Sequence, residues 1–161
     1  MRTMMFKIYL AGFINDKVLD QCIGWRKQIV DHYRKQSYPI QWLDPLNGKD
    51  LDKIESDGLS AQGLSARAIF DGDMLSIGNA DLIVANLDKF GESRDMTGTI
   101  SEMAIGHYHF RVPIITITTE DQYRKHPFIL AFTSEFCDSV DQMLSQKRIN
   151  YYYKRTHDAL Y

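Results

Sequence analysis

Three acidic residues, Asp73, Asp95 and Glu102, flank one apolar run, DLIVANL at 81–87, inside the stretch 68–108. A strand with carboxylates before and after it, followed by Gly98-Thr99 at the start of a helix, has the makings of a site at a strand's carboxyl end. A carboxylate attacks an electrophilic carbon when ionised and protonates a leaving group when neutral. Asp73 shares a helix face with Ile69, Phe70 and Ile77. An aspartate mid-helix in an apolar stripe is costly unless it is paired or lines a pocket. The alternative is a local bend that turns it to solvent. Asp71 points nearly the opposite way and is read as solvated. Thr99 to Glu102 spells a capping box, with Thr99 as N-cap and Glu102 at the third helical position. A helix N-terminus favours the ionised carboxylate, which suits a nucleophile as well as a cap. Gly98 allows close backbone approach to a ligand, and free N–H groups there can hold a phosphate or hydroxyl. Asp95, in GESRDMTG, is either a solvated loop charge or a site residue. Tyr9 faces the opposite side of its strand from Ile8 and Leu10.

The elements that must position these groups follow from periodicity. Residues 6–10 (FKIYL) read as a buried strand, with Ala11-Gly12 as its turn. Asp16 is a candidate cap for a helix over 18–35. A short strand over 37–43 carries Pro39 at its start or edge, and Asp44-Pro45 ends it. Residues 47–63 are rich in Gly, Asp, Ser and Lys and read as a flexible loop, either a lid or a linker. A helix over 64–78 leads into the strand at 81–87. A charged loop over 89–97 and a helix from 99 to about 110 follow. Residues 112–117 (VPIITI) are another buried strand. Residues 128–132 are a last short strand or a helical turn. Ser139 caps or begins a helix through 147, and 149–161 form a tyrosine-rich tail.

Alternating strands and helices predict a single α/β domain over 1–161: a flavodoxin- or Rossmann-like, doubly wound, mostly parallel five-stranded sheet flanked by helices. Ligands of such sheets sit outside the strands' carboxyl ends. That expectation puts Gly12, Phe13, Asp44, Asn86, Asp88, Thr118 and Thr119 around one rim.

The bulk numbers bound the function. The chain has 161 residues, 44% hydrophobic and 25% charged, enough for one domain with a real core. A formal charge of −2 gives no electrostatic case for a nucleic-acid polymer or a membrane surface. Cys22 and Cys137 match no metal spacing, the five histidines are scattered, and no metal site is expected. Without a signal segment or a transmembrane-length apolar run, both cysteines are read as reduced thiols of a cytoplasmic protein.

Several pieces in order resemble the nucleoside 2-deoxyribosyltransferase family. They are Lys7-Ile8-Tyr9-Leu10-Ala11-Gly12, Trp25-Arg26, Asp44-Pro45, helical Asp73, the run from Asp81 to Leu87 with Asn86, Gly98-Thr99 with Glu102, Ala104 and Gly106, and Val112-Pro113-Ile114-Ile115. The resemblance covers about residues 7–117. It implies a flavodoxin-like fold and cleavage of a 2'-deoxynucleoside's glycosidic bond with no cofactor. Glu102 would be the nucleophile and hold the deoxyribosyl group covalently. A second base would then attack, so that configuration is retained, as in retaining glycosidases. Asp73 would hold the sugar or shuttle a proton, Tyr9 would position the glutamate, and Asp95 would handle the leaving base. Gly12, Phe13, Asn86, Gly98, Thr99 and the terminal Tyr161 would contact substrate. Asp95 stands one residue further from Gly98 than in the family's pattern, so the Tyr161 carboxylate or a water is an alternative for its role. The resemblance also implies a homo-oligomer whose sites are completed from a neighbouring subunit, through 124–134. Two related reactions fit: transfer of the deoxyribosyl group between nucleobases, or hydrolysis of 2'-deoxynucleoside 5'-monophosphates, with Thr97, Thr99, Ser101, Ser134 and Arg67 as candidate phosphate partners. A non-catalytic nucleotide-binding module is the remaining reading.

Overall fold

The structure is a computed structural model, and it describes residues 5–49, 51–53 and 64–157. Five strands form one sheet in the order β2-β1-β3-β4-β5, and every pairing is parallel. The strands are β1 (Phe6–Gly12), β2 (Ile40–Leu43), β3 (Leu82–Asn86), β4 (Ile114–Ile117) and β5 (Glu135–Cys137). The helices are α1 (Leu19–Lys35), α2 (Ala66–Gly78), α3 (Thr97–Tyr108), α4 (Asp121–Arg124), α5 (Pro127–Phe132), α6 (Val140–Ser145) and α7 (Arg148–His157). This is the predicted doubly wound α/β fold.

β1 and β3 are almost wholly buried and, apart from Lys7 and Asn86, apolar, because both faces of a parallel sheet are covered. On β1, Ile8 and Leu10 face a layer with Trp25 and Ile29 of α1, Met143 of α6 and Ile149 of α7. Tyr9 and Ala11 face the other layer, with Ile77 of α2, Met103 of α3 and Ile129 and Phe132 of α5. Asp81 pins the start of β3 to β1: its carboxylate accepts from Lys7 N at 2.8 Å, and its own N donates to Lys7 O at 2.8 Å. The winding reverses between β1 and β3, so their carboxyl ends open a crevice at a topological switch point.

Of the two forms expected for residues 128–132, the structure has the helical one, within α5. Pro127 stands at the first helical position, where it loses no hydrogen bond, and His126 caps it by accepting from Phe128 N. The fifth strand is instead Glu135–Cys137, too short for a periodicity signal. Asp16 does not cap α1, which has no side-chain cap; Asn15 instead caps a 3-10 turn, Asp16–Val18, that leads into it, by accepting from Lys17 N. The tail is helical as α7, and Tyr153 and His157 pack edge-on against Phe6 at 5.8 and 5.4 Å. No described helix is long and apolar enough to cross a membrane.

Candidate active site

A cleft of about 400 Å³ opens at the carboxyl end of β1, between α2 and the start of α3. It brings together Asp73, Asp95 and Glu102 with Gly12, Phe13, Gly98 and Thr99.

Glu102 owes its position to where α3 begins. The helix starts at Thr97, with Met96 as N-cap and no side-chain cap bond. Thr99 is therefore the third helical residue, not the N-cap, and Glu102 lies in the second turn. The expected capping box does not form. Ile100 N already donates to Met96 O at 2.9 Å, while the N–H groups of Thr97, Gly98 and Thr99 have no acceptor within the helix. All three residues edge the cleft. Glu102 is freed from capping and its carboxyl lines the same cleft.

α3 lies very close to the sheet. A Cβ at Gly106 would collide with the Ile83 side chain, so glycine allows an approach that Cβ would block. Under the cleft, Tyr9 is fully buried and coupled to Glu102 through its hydroxyl. Oη is buried and makes no regular hydrogen bond. Burial first, then the charges of Glu102 and Asp73, push the Tyr9 hydroxyl well above its ordinary range.

The two acids interact. Part of the Glu102 surface reaches solvent through the cleft, yet protein atoms crowd the carboxyl closely enough for desolvation to dominate. Burial and then the charge of Asp73 push it up to about 8, against the pull of Tyr9, Arg26 and Lys49. The sequence pattern suggested an ionised group stabilised by a helix end; the carboxyl instead binds its proton tightly. Asp73 is half-buried and also raised, by burial, with Lys49 opposing. It faces the cleft together with Ile69, whereas Phe70 is 45% exposed and does not share its environment. Asp95 is exposed on the cleft's margin, where its charge reaches Tyr123 of α4.

Two cations in the cleft carried no signal in the sequence. Lys49 lies in the turn after β2, within a stretch legible only as a polar loop. Arg94 is one of several charges in the loop before α3. Its guanidinium stacks 4.7 Å over the Phe13 ring and donates to Ile14 O at 2.6 Å. Nε is buried without a partner.

The expected single rim is divided. Asn86 lines a second cleft with Asp88, Thr118 and Thr119, and its side chain accepts from Asp88 N at 3.0 Å. It is absent from the lining of the carboxylate cleft, because alternation along β3 puts Asn86 on the face of Leu82 and Val84, which α1 and α6 cover. Of the phosphate candidates, Thr97 and Thr99 line the cleft. Arg67 is paired with Asp71 on the outside of α2 at 2.8 Å, Ser134 accepts from Ile114 N at 3.1 Å, and Ser101 faces the groove between α3 and α5. Tyr161 and most of the loop 47–63 lie outside the described residues. The last described helix ends at His157, against Phe6, at the opposite end of β1 from Gly12. Among the described residues, no group of three or more His, Cys, Asp or Glu side chains is placed to hold a metal ion.

No protein-family profile and no curated protein matches the sequence. The fold is similar to a solved structure described as a conserved protein from Enterococcus faecalis V583, with a TM-score of 0.62 and 17% identity over 91% of this chain and 99% of that one. At that identity the likeness speaks to the fold alone.

Proposed function

We propose that the protein cleaves the N-glycosidic bond of 2'-deoxynucleosides and transfers the 2-deoxyribosyl group to another nucleobase. One observation carries the reading: Glu102 and Asp73 line a single cleft, with the Tyr9 hydroxyl buried beside Glu102. The ionised Glu102 oxygen attacks the anomeric carbon as the bond to the base nitrogen breaks. The departing nitrogen takes a proton from the margin of the cleft, where Asp95 stands. The sugar is then held as an ester of Glu102. A second base attacks the same carbon through its nitrogen, returns its N–H proton to Asp95 and releases the Glu102 carboxylate. Two inversions give net retention. Asp73 binds the sugar hydroxyls and lends its charge to the oxocarbenium-like transition state. Every step uses side chains of the chain and needs no cofactor. Before substrate arrives, burial and the charge of Asp73 keep Glu102 mostly protonated at neutral pH.

A second reading, hydrolysis of 2'-deoxynucleoside 5'-monophosphates, has its own support. Lys49, Arg94 and the first-turn N–H groups of α3 stand on the same cleft as the acids, and together they suit an anion. In that case water takes the place of the second base.

The proposal includes a homo-oligomer. Ile100, Ala104, Phe128, Ile129 and Phe132 line an apolar groove between α3 and α5, next to the helix that carries Glu102. It also includes a cytoplasmic location, which the buried free thiols of Cys22 and Cys137 suit.

Incubation with deoxyinosine and adenine, and separately with deoxynucleoside monophosphates, followed by chromatography, decides among the readings. Deoxyadenosine is the expected product of transfer. Free base with deoxyribose 5-phosphate would move the assignment to the hydrolase. No turnover of any purine or pyrimidine substrate would leave a binding module and overturn both.

A further inference from the structure

Behind the cleft lies a charge the chemistry above does not use. Arg26 of α1 is 2% exposed and heads the largest fully buried side chains. Nη1 donates to Cys22 O at 2.6 Å, and Nη2 donates to Gly12 O at 3.2 Å. Nε lies 3.3 Å from Asp44 Oδ1, without the alignment of a hydrogen bond. Asp44 in turn accepts from Leu46 N at 2.9 Å and so holds the turn after β2. One guanidinium therefore joins the last residue of β1 to the β2 turn. Gly12 and Pro45, on those two segments, both line the cleft.

Stability alone gives no reason for this arrangement. Desolvating two ions offsets their attraction, and an apolar pair of similar volume often does as well. Burial is the first influence on each partner: it pushes the Arg26 guanidinium down and the Asp44 carboxyl up. What Arg26 supplies is a fixed positive charge in the interior that acts on Glu102, while Asp44 does not. Glu102 is faced by Asp73 from α2, Tyr9 from β1, Arg26 from α1 and Lys49 from the turn after β2, with Arg94 and Asp95 on the cleft's margin. Of the two cations that act on Glu102, Arg26 is the one held inside a helix and buried on all sides.

We propose that Arg26 is a positioning residue: it ties Gly12 to the Asp44 turn and keeps a permanent positive charge behind Glu102, so that this carboxylate is available for attack. The proposal rests on Glu102 being the reacting group.

The test is an NMR titration of Glu102 in the full chain, with glutamate labelled at the side-chain carboxyl carbon and Glu102→Gln used for assignment. In Arg26→Met the midpoint moves up by about half a pH unit or more, roughly threefold in proton affinity. Arg26→Lys, which keeps the charge, leaves the midpoint near the wild-type value. If Arg26→Met fails to fold, Arg26→Met/Asp44→Leu removes the charge without leaving an unpaired carboxylate, and the same upward shift is expected. An unchanged midpoint in a folded variant overturns the proposal, and so does failure of both variants to fold, which would assign Arg26 to the fold alone. With substrate, kcat at pH 7 falls about threefold or more in the Met variant while KM stays within about twofold. The titration needs no substrate. A shifted midpoint in a protein that turns over nothing would sink the proposed activity and leave the electrostatic role standing.

Discussion

Glu102 is asked to be both a group that holds its proton and a group that attacks without it. The resolution lies in when the charge appears. A carboxyl raised to about 8 by burial and by Asp73 is mostly neutral in the empty cleft, and its small ionised fraction is poorly solvated and correspondingly nucleophilic. The same shift has a consequence for folding. The unfolded chain releases this proton near the ordinary 4.5, while the folded chain keeps it to about 8. Stability from this group is therefore complete below about pH 4.5, falls as pH rises through that window and levels off above it. Glu102→Gln cannot ionise and escapes that loss. The expected outcome is a variant whose turnover drops by about 10³-fold or more, while its melting temperature gains on the wild type between about pH 4.5 and pH 8. A gap in melting temperature that stays flat with pH would show that the carboxyl is not held protonated. Wild-type rates would remove it from the chemistry.

At the scale of elements, the position of Glu102 depends on how closely α3 lies against the sheet. Gly106 sets that distance, since a methyl there would meet the buried Ile83 side chain. Gly106→Ala is expected to destabilise by ~1–2 kcal/mol despite alanine's better helix propensity, read as a lower urea midpoint at unchanged slope. Gly72→Ala in α2, where a Cβ meets nothing within 4 Å, serves as the control and is expected to stabilise by ~0.5–1 kcal/mol. Equal effects at both positions would mean that helix packing does not decide. The contrast also explains what was legible beforehand. Long buried strands such as β1 and β3 announce themselves by composition, and Asp73 by its place in an apolar stripe. The start of α3 did not, because Thr97-Gly98-Thr99 offers two places to begin a helix and the capping-box pattern favoured the later one. β5 is only three residues long, so its place depends on β4 beside it. Arg94 and Lys49 reach the cleft through tertiary contacts that no local pattern encodes, and the divided rim follows from alternation along β3, which puts Asn86 on the α1 face of the sheet.

For the whole molecule, the open question is what covers the side of α3 away from the sheet. Phe128 and Leu130 on α5 are 66% and 49% exposed, and Tyr108 at the end of α3 is 55% exposed. Beside them runs the groove lined by Ile100, Ala104, Ile129 and Phe132. Apolar surface gathered in this way on a monomer marks an interaction face. The groove shares α3 with the carboxylate cleft, and Tyr123 on its edge feels the charge of Asp95. A second copy seated here would adjoin the cleft margin at Asp95, where the proposed reaction has its leaving base depart. Phe128→Asp places a charge in the middle of such an interface, while Phe128 itself is too exposed to support the fold. The expected result by light scattering is an oligomeric wild type and a monomeric variant of unchanged circular dichroism. Turnover should fall with oligomer content and recover as protein concentration is raised. A wild type that is monomeric at micromolar concentration, or a monomeric variant with full activity, would show that each chain carries a complete site and that the groove serves some other partner.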